Sequence, residues 1–196
     1  MRTAFATLTF VMLLSTQAAA QSRALDLVRS ECVAQNADPD AISRDLSAMH
    51  WRQLSDEEQA HRDLSLLAVG FVMHWTRSQA WGPEDGEHIM ITLGDGPLGE
   101  SGARARFCLI SEARPFSRQV RDVRAWLGFQ RFQTWGPGAD MFAYIRGDAG
   151  ALRNGAAISA AERDEAARAG RFGFVQVVGD TTSSLINFSV IEPSPE

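Results

Sequence analysis

The chain contains no lysine: all 19 of its Lys-plus-Arg residues are arginine. Chemistry that needs a Schiff-base amine or a lysine nucleophile is therefore excluded. Cysteine is scarce, at two residues, and tyrosine scarcer, at one. The two cysteines have no CxxC spacing, which removes the thioredoxin-type redox motif and the usual zinc frames. The four histidines, His50, His61, His74 and His88, form no HExxH pair and no i, i+4 pair, so the zincin pattern is absent. No GxSxG elbow occurs; Gly99-Glu100-Ser101-Gly102 matches one only superficially. There is no basic run, and a formal net charge of −5 offers no footprint for nucleic acid.

What is present is the composition of a globular protein. Of 196 residues, 45% are apolar and 22% charged, and the length suits one domain. The first twenty residues read as an export signal. Met1-Arg2 supplies a positive start, Ala4 to Leu14 an apolar stretch, and Ala18-Ala19-Ala20 the small residues a signal peptidase needs. Cleavage is expected between Ala20 and Gln21, with a periplasmic destination. The stretch is too short for a comfortable membrane span, so no span is expected after cleavage. Residues 21–196 then form a single domain.

In an oxidising compartment an even cysteine count suggests a disulfide, Cys32–Cys108. It would close a loop of 76 sequence steps. The alternative is two unpaired thiols, one of them reactive. Cys32 shares a helical face with Leu25 and Val28, and Cys108 sits in the strand pattern Arg106-Phe107-Cys108-Leu109-Ile110.

The spacing predicts helices at 22–36 and at 39–49, the second opened by Asp38-Pro39. Ser55-Asp56-Glu57-Glu58 is a capping box, and Ala60, Leu64, Ala68, Phe71 and Trp75 continue it as a helix over 56–76, with a break at Gly70 into a strand as the alternative. Strands are predicted at 88–93 and 105–111. A helix follows from Pro115 to Leu127, with Val120, Val123, Trp126 and Leu127 on one face and Arg118, Arg121 and Arg124 on another. A strand at 141–146 follows. A second capping box, Ser159 to Glu162, opens a short helix that Gly170 ends. A terminal hairpin covers 172–191, its buried side marked by Ile186, Phe188 and Val190.

Three short matches recur in order. Arg44-Asp45-Leu46-Ser47-Ala48 pairs with Arg121-Asp122-Val123-Arg124-Ala125. Gln79-Ala80-Trp81-Gly82-Pro83 pairs with Gln133-Thr134-Trp135-Gly136-Pro137. Ala103 to Phe107 pairs with Ala167 to Phe172. They suggest repeat-like halves, 40–112 and 117–178. The fold class expected is α+β: antiparallel sheet with helices packed on one face, a degenerate duplication of a helix-plus-strands unit, and an extra N-terminal helix.

The leader, the cysteine-bearing first helix, the Ala37-Asp38-Pro39-Asp40-Ala41-Ile42 helix ending near Trp51, and the second cysteine in Arg106-Phe107-Cys108-Leu109-Ile110 resemble a loose group of small exported proteins of alphaproteobacteria. The resemblance covers about residues 25–112. It implies the exported compartment and the Cys32–Cys108 pairing, and it carries no catalytic residue.

No nucleophile, metal or cofactor pattern stands out, so the expected function is a non-catalytic binding or accessory module of the cell envelope. Its partner would be an envelope protein or a cell-wall ligand. The candidate binding surface comprises Trp81 and Trp135, at two Trp-Gly-Pro corners, with Asp95 in a Gly-rich stretch. Each has a plainer reading: a buried anchoring tryptophan for the corners, and a tight strand connection for the stretch. The arginine row Arg118, Arg121 and Arg124 is either an anionic-partner face or the wet side of its helix. His61 and His74, with Glu57, Glu58 and Asp63 nearby, read as a solvated helix face rather than a metal site. The alternative function is a small periplasmic hydrolase of envelope material, with acids drawn from Glu57, Glu58, Asp95 and Asp148. A third reading, an envelope-structural or inhibitor protein, would require a large exposed apolar patch.

Overall fold

In the computed structural model of the chain, residues 22–58, 77–84, 89–97, 103–134, 136–148 and 150–192 are described. The leader, most of the 56–76 segment, His61, His74, His88, Ser101 and Trp135 lie outside them.

The helices begin where local chemistry tells them to. Ser22 opens α1 (Arg23–Leu27), its hydroxyl accepting the Leu25 N–H. The helix runs directly into a π-helical segment, Val28–Val33, so the expected 22–36 helix is α for one turn and π beyond it. Asn36 and Ala37, both at φ 53°, then turn the chain. Asp38 accepts the Asp40 and Ala41 N–H groups at the start of α2 (Pro39–Ala48), satisfying two helix-end donors. α3 (Phe116–Leu127) ends at Gly128, whose φ of 71° is open to glycine without strain. α4 (Ala160–Arg168) starts with the reciprocal Ser159–Glu162 box.

The strands are β1 (Trp51–Gln53), β2 (Arg77–Pro83), β3 (Ile89–Pro97), β4 (Arg104–Glu112), β5 (Gln133–Thr134), β6 (Ala139–Arg146), β7 (Leu152–Asn154), β8 (Phe172–Gly179) and β9 (Ser184–Glu192). They form one sheet in the order β1-β2-β3-β4-β9-β8-β6-β5, with β7 also on the outer edge of β6. Every pairing is antiparallel. The chain is thus an α+β protein on an antiparallel sheet. The first Trp-Gly-Pro segment is not a corner. It is the end of β2, where Trp81 pairs with Ile91, and Pro83 sits at the terminus, the place a strand tolerates a missing N–H.

Alternation sorts the residues between two faces. On the first face, Ile91, Cys108, Ile110, Phe188, Val175 and Phe142 meet Leu25, Val28, Ile42, Leu46, Val120 and Val123 from α1, its π extension, α2 and α3. On the second, Phe107, Leu109, Leu185 and Ile191 pack with Phe174, and with Ala167 of α4. Three of these four helices therefore share a face, and α4 lies on the other.

Read inward toward β9, the two halves run β2-β3-β4, with β1 outside β2, and β5-β6-β8. Their strands also run in matching directions, because β4 and β8 are both antiparallel to β9. Yet α2 and α3 lie on the same face. A rotation that overlays the strands would carry the helix through to the opposite face. The halves have opposite hands, so the structure does not present two superposable copies.

Tyr144, the single tyrosine, is stacked on Phe188 with ring centroids 4.9 Å apart. Its hydroxyl donates to the Ser189 carbonyl at 2.9 Å. Burial pushes its phenol well above the ordinary value of 10.0, because the phenolate cannot be solvated there. The unfolded chain, with an ordinary phenol, therefore releases a proton that the folded chain holds. Stability from this site is complete below about pH 10 and falls above it. Absorbance at 295 nm should show no tyrosinate until the protein unfolds. A reversible titration near pH 10 with folded-state circular dichroism intact would contradict this placement.

Candidate functional site

Cys32 and Cys108 form a disulfide with Cα atoms 5.6 Å apart, and both residues are fully buried. It fastens the π segment that extends α1 to β4 in the middle of the sheet.

Beside that fastening lies a concavity of about 220 Å³. The π segment contributes Arg29 and Val33, the last turn of α3 contributes Trp126 and Leu127, the connection from β6 into β7 contributes Gly150 and Ala151, and the start of β7 contributes Leu152. The connection is a tight turn: the Gly150 N–H bonds the Gly147 carbonyl, and the Gly147 N–H bonds the Ala151 carbonyl, both at 2.9 Å. Gly150 adopts φ 77°, and the Arg146 guanidinium lies against it, Nη2 3.7 Å from where a Cβ would stand. Trp126 and Leu127 are half-buried and Arg29 is exposed. The site thus has a mostly polar accessible lining, a partly open indole ring and the exposed Arg29.

Many of the chain's arginines are paired within the fold. Arg104 holds Asp95 at 2.5 Å, Arg114 holds Asp122, and Arg124 and Arg131 share the buried Asp140 at 3.3 Å each. Among the described residues, Arg29 and Arg146 make no side-chain hydrogen bond or ion pair, and neither do Arg44, Arg118, Arg153, Arg168 and Arg171.

The residues singled out from the sequence fall elsewhere. Trp81 is 8% exposed and packed among first-face core residues, so it is a core anchor and not a stacking surface. Asp95 is tied to Arg104 on the neighbouring strand, so it does not stand open as a ligand group. Trp135 lies outside the described residues. Of the arginine row, Arg124 and Arg121 are engaged by Asp140 and Asp122, which spends much of its positive charge within the fold. Among the described residues no group of three or more His, Cys, Asp or Glu side chains is placed to hold a metal.

The acids considered for hydrolysis are spread over or after three strands of the sheet, β1, β3 and β6. Glu57 and Glu58 follow β1, whereas Asp148 follows β6, six strand steps away in the sheet, about 29 Å at ~4.8 Å per step. A glycosidase pair needs roughly 5–9.5 Å. Asp95 on β3 is four steps from β6, about 19 Å on the same spacing. Glu58 is held down to about 2, first by its hydrogen bond from Arg52 and then by Ser55. That is the opposite of the raised value a general acid needs.

Trp126 was legible only as one apolar residue of a helix face. Arg29, Arg146 and the β6–β7 turn carry no local motif. No family model, curated protein or solved structure matches the chain.

Proposed function

We propose that this protein is an exported, non-catalytic binding module of the cell envelope, and that its ligand enters the concavity between the π extension of α1, α3 and the β6–β7 turn. The observation that carries the reading is a depression lined by the half-buried Trp126 ring and the exposed Arg29. Binding sites are preferentially concave. A volume of about 220 Å³ lies below the ~300–1,000 Å³ of sites for drug-sized molecules. The ligand is therefore small, or inserts only one end.

The export part of the proposal is supported by the leader pattern of residues 1–20 and by the resemblance to small exported alphaproteobacterial proteins. It is also supported by the buried disulfide, a bond that persists in oxidising compartments. The expected cut falls before α1, clear of every described element. No described helix is long and apolar enough to cross a membrane.

Two measurements test this. Intact mass of the exported protein should show loss of residues 1–20 and two fewer hydrogens than the dithiol. A leader retained in the membrane fraction would defeat the export reading. A fragment screen on the oxidised protein, read at the Trp126 indole N–H by NMR, should yield ligands that move that signal. Ligands that move only other tryptophan signals would place the binding site elsewhere.

A further inference from the structure

We infer that Glu112 and Gln119 form a seat for the free amino terminus of the exported chain, the α-ammonium that cleavage between Ala20 and Gln21 creates. This rests on the export reading above and adds what the cut does to the fold.

Ser22, the second residue after that cut, is fully buried. Its hydroxyl donates to the Glu112 carboxylate at 2.8 Å and accepts the Leu25 N–H at 3.1 Å. It also accepts the side-chain N–H of Gln119 at 2.9 Å. The hydroxyl has one proton, and Glu112 takes it, so the Gln119 atom facing Ser22 has to be the donor nitrogen. That assignment leaves Oε1 of Gln119 without a hydrogen-bond partner, on a side chain with no exposure at all. An amide oxygen buried in this way carries the full penalty of leaving water. Glu112 ends β4 and is half-buried. Its carboxylate also accepts the Arg23 and Ala24 N–H groups, at 3.3 and 3.4 Å. All three of these donors are neutral groups.

A carboxylate and an unpaired amide oxygen at the start of the domain suit a cation with several donors. The α-nitrogen of Gln21 lies within about 7 Å of the Ser22 hydroxyl, on the ~3.6 Å that each residue spans at most. In the precursor it is an amide nitrogen with one hydrogen and no charge. Hydrolysis of the Ala20–Gln21 bond consumes one water, leaves a carboxylate on the leader and makes that nitrogen an ammonium with three hydrogens. The ammonium serves Glu112 and Gln119 together, and its hydrogen bond to the carboxylate is charge-assisted. The cut therefore completes a polar cluster that the precursor leaves short of donors.

The test uses the exported, oxidised protein, once intact mass has shown where it starts. The chain has no lysine, so an amine-selective acetylating reagent reaches the amino terminus alone. Urea denaturation at pH 7 then compares the free and acetylated forms. Acetylation should lower the folding equilibrium constant about tenfold, the loss expected for a charge-assisted hydrogen bond. In Glu112→Gln, which keeps an acceptor for Ser22, acetylation should have little effect. A second readout needs no variant. A free terminal glutamine closes onto its own side-chain amide: the amine attacks the amide carbon and ammonia leaves. A seated ammonium is withheld from that attack, so closure, read by mass, should run about tenfold slower in the folded protein than in the urea-unfolded chain, on the same energy. Equal stability of the free and acetylated forms would overturn the seat. So would an acetylation loss as large in Glu112→Gln as in the wild type, closure as fast folded as unfolded, or an exported protein already closed. An exported protein that starts elsewhere than Gln21 overturns the expected cut, and the inference falls with it. One that starts at Gln21 and fails these comparisons overturns the seat and leaves the export reading standing.

Discussion

A Cys32→Ala/Cys108→Ala variant is expected to be less stable than the oxidised protein by about 2–5 kcal/mol. The disulfide closes a loop of 76 steps, for which the chain-entropy relation gives about 4.5 kcal/mol. Both cysteines are fully buried in the first-face core, so truncating the sulfurs also removes packing. The bond joins the first helical segment to a central strand, and in the unfolded chain it forbids more than a third of the sequence from separating freely. Urea denaturation of variant and wild type under non-reducing conditions measures the difference. A loss below about 1 kcal/mol, well under the usual range, would mean that the α1 contacts with the sheet hold without the covalent link.

Gly173→Ala is expected to cost about 3 kcal/mol or more, at the upper end of overpacking losses. A Cβ at 173 would overlap the Ser189 carbonyl oxygen on β9 and lie 2.5 Å from the Tyr144 hydroxyl on β6. Gly173 pairs with Tyr144 on one side and Val190 on the other, so its backbone has no room to withdraw. The Tyr144 ring is 1% exposed and stacked on Phe188, so it cannot swing away without opening the core. Tyr144→Phe removes the hydroxyl that stands nearest to that Cβ among side-chain atoms. The pair Tyr144→Phe/Gly173→Ala should then lose less than the sum of the two single losses, by about 0.5–3 kcal/mol. Strict additivity would show that the hydroxyl does not limit the space at this position.

These two positions also mark how far the sequence could be read. The cysteine pair was legible because an expected oxidising compartment and an even count constrain it without geometry. Helix starts were legible for the same local reason: Asp38-Pro39 and the Ser159–Glu162 box act within one turn, and α2 and α4 begin there. The long buried strands β4, β6, β8 and β9 announced themselves by apolar alternation. β1 and β5 did not, at three and two residues, and β2 was masked by its Gly-Pro ending. Gly173 looked like any strand glycine, because the need for it comes from a tyrosine 29 positions earlier.

The site was least legible of all. Its walls come from a π segment, a helix C-terminus and a turn, brought together only by the sheet order. Trp81 and Trp135 stand out in the sequence for their Gly-Pro neighbours, but such neighbours describe backbone shape, not exposure. Trp81 occupies the core face of β2, whereas Trp126, one residue from the end of an amphipathic helix, stays partly open. The three sequence matches between the halves were real as strings. Whether they meant copies depended on handedness, and no string of residues in one chain states on which face a helix will pack.

Binding at the concavity is tested most directly by backbone NMR of the oxidised protein with a fragment that moves the Trp126 indole. Amide shifts are expected to concentrate at Arg29, Val33, Leu127 and 150–152, with β2 and Trp81 unmoved. Shifts concentrated on β2 and β3, or spread across the second face, would contradict a ligand seated there.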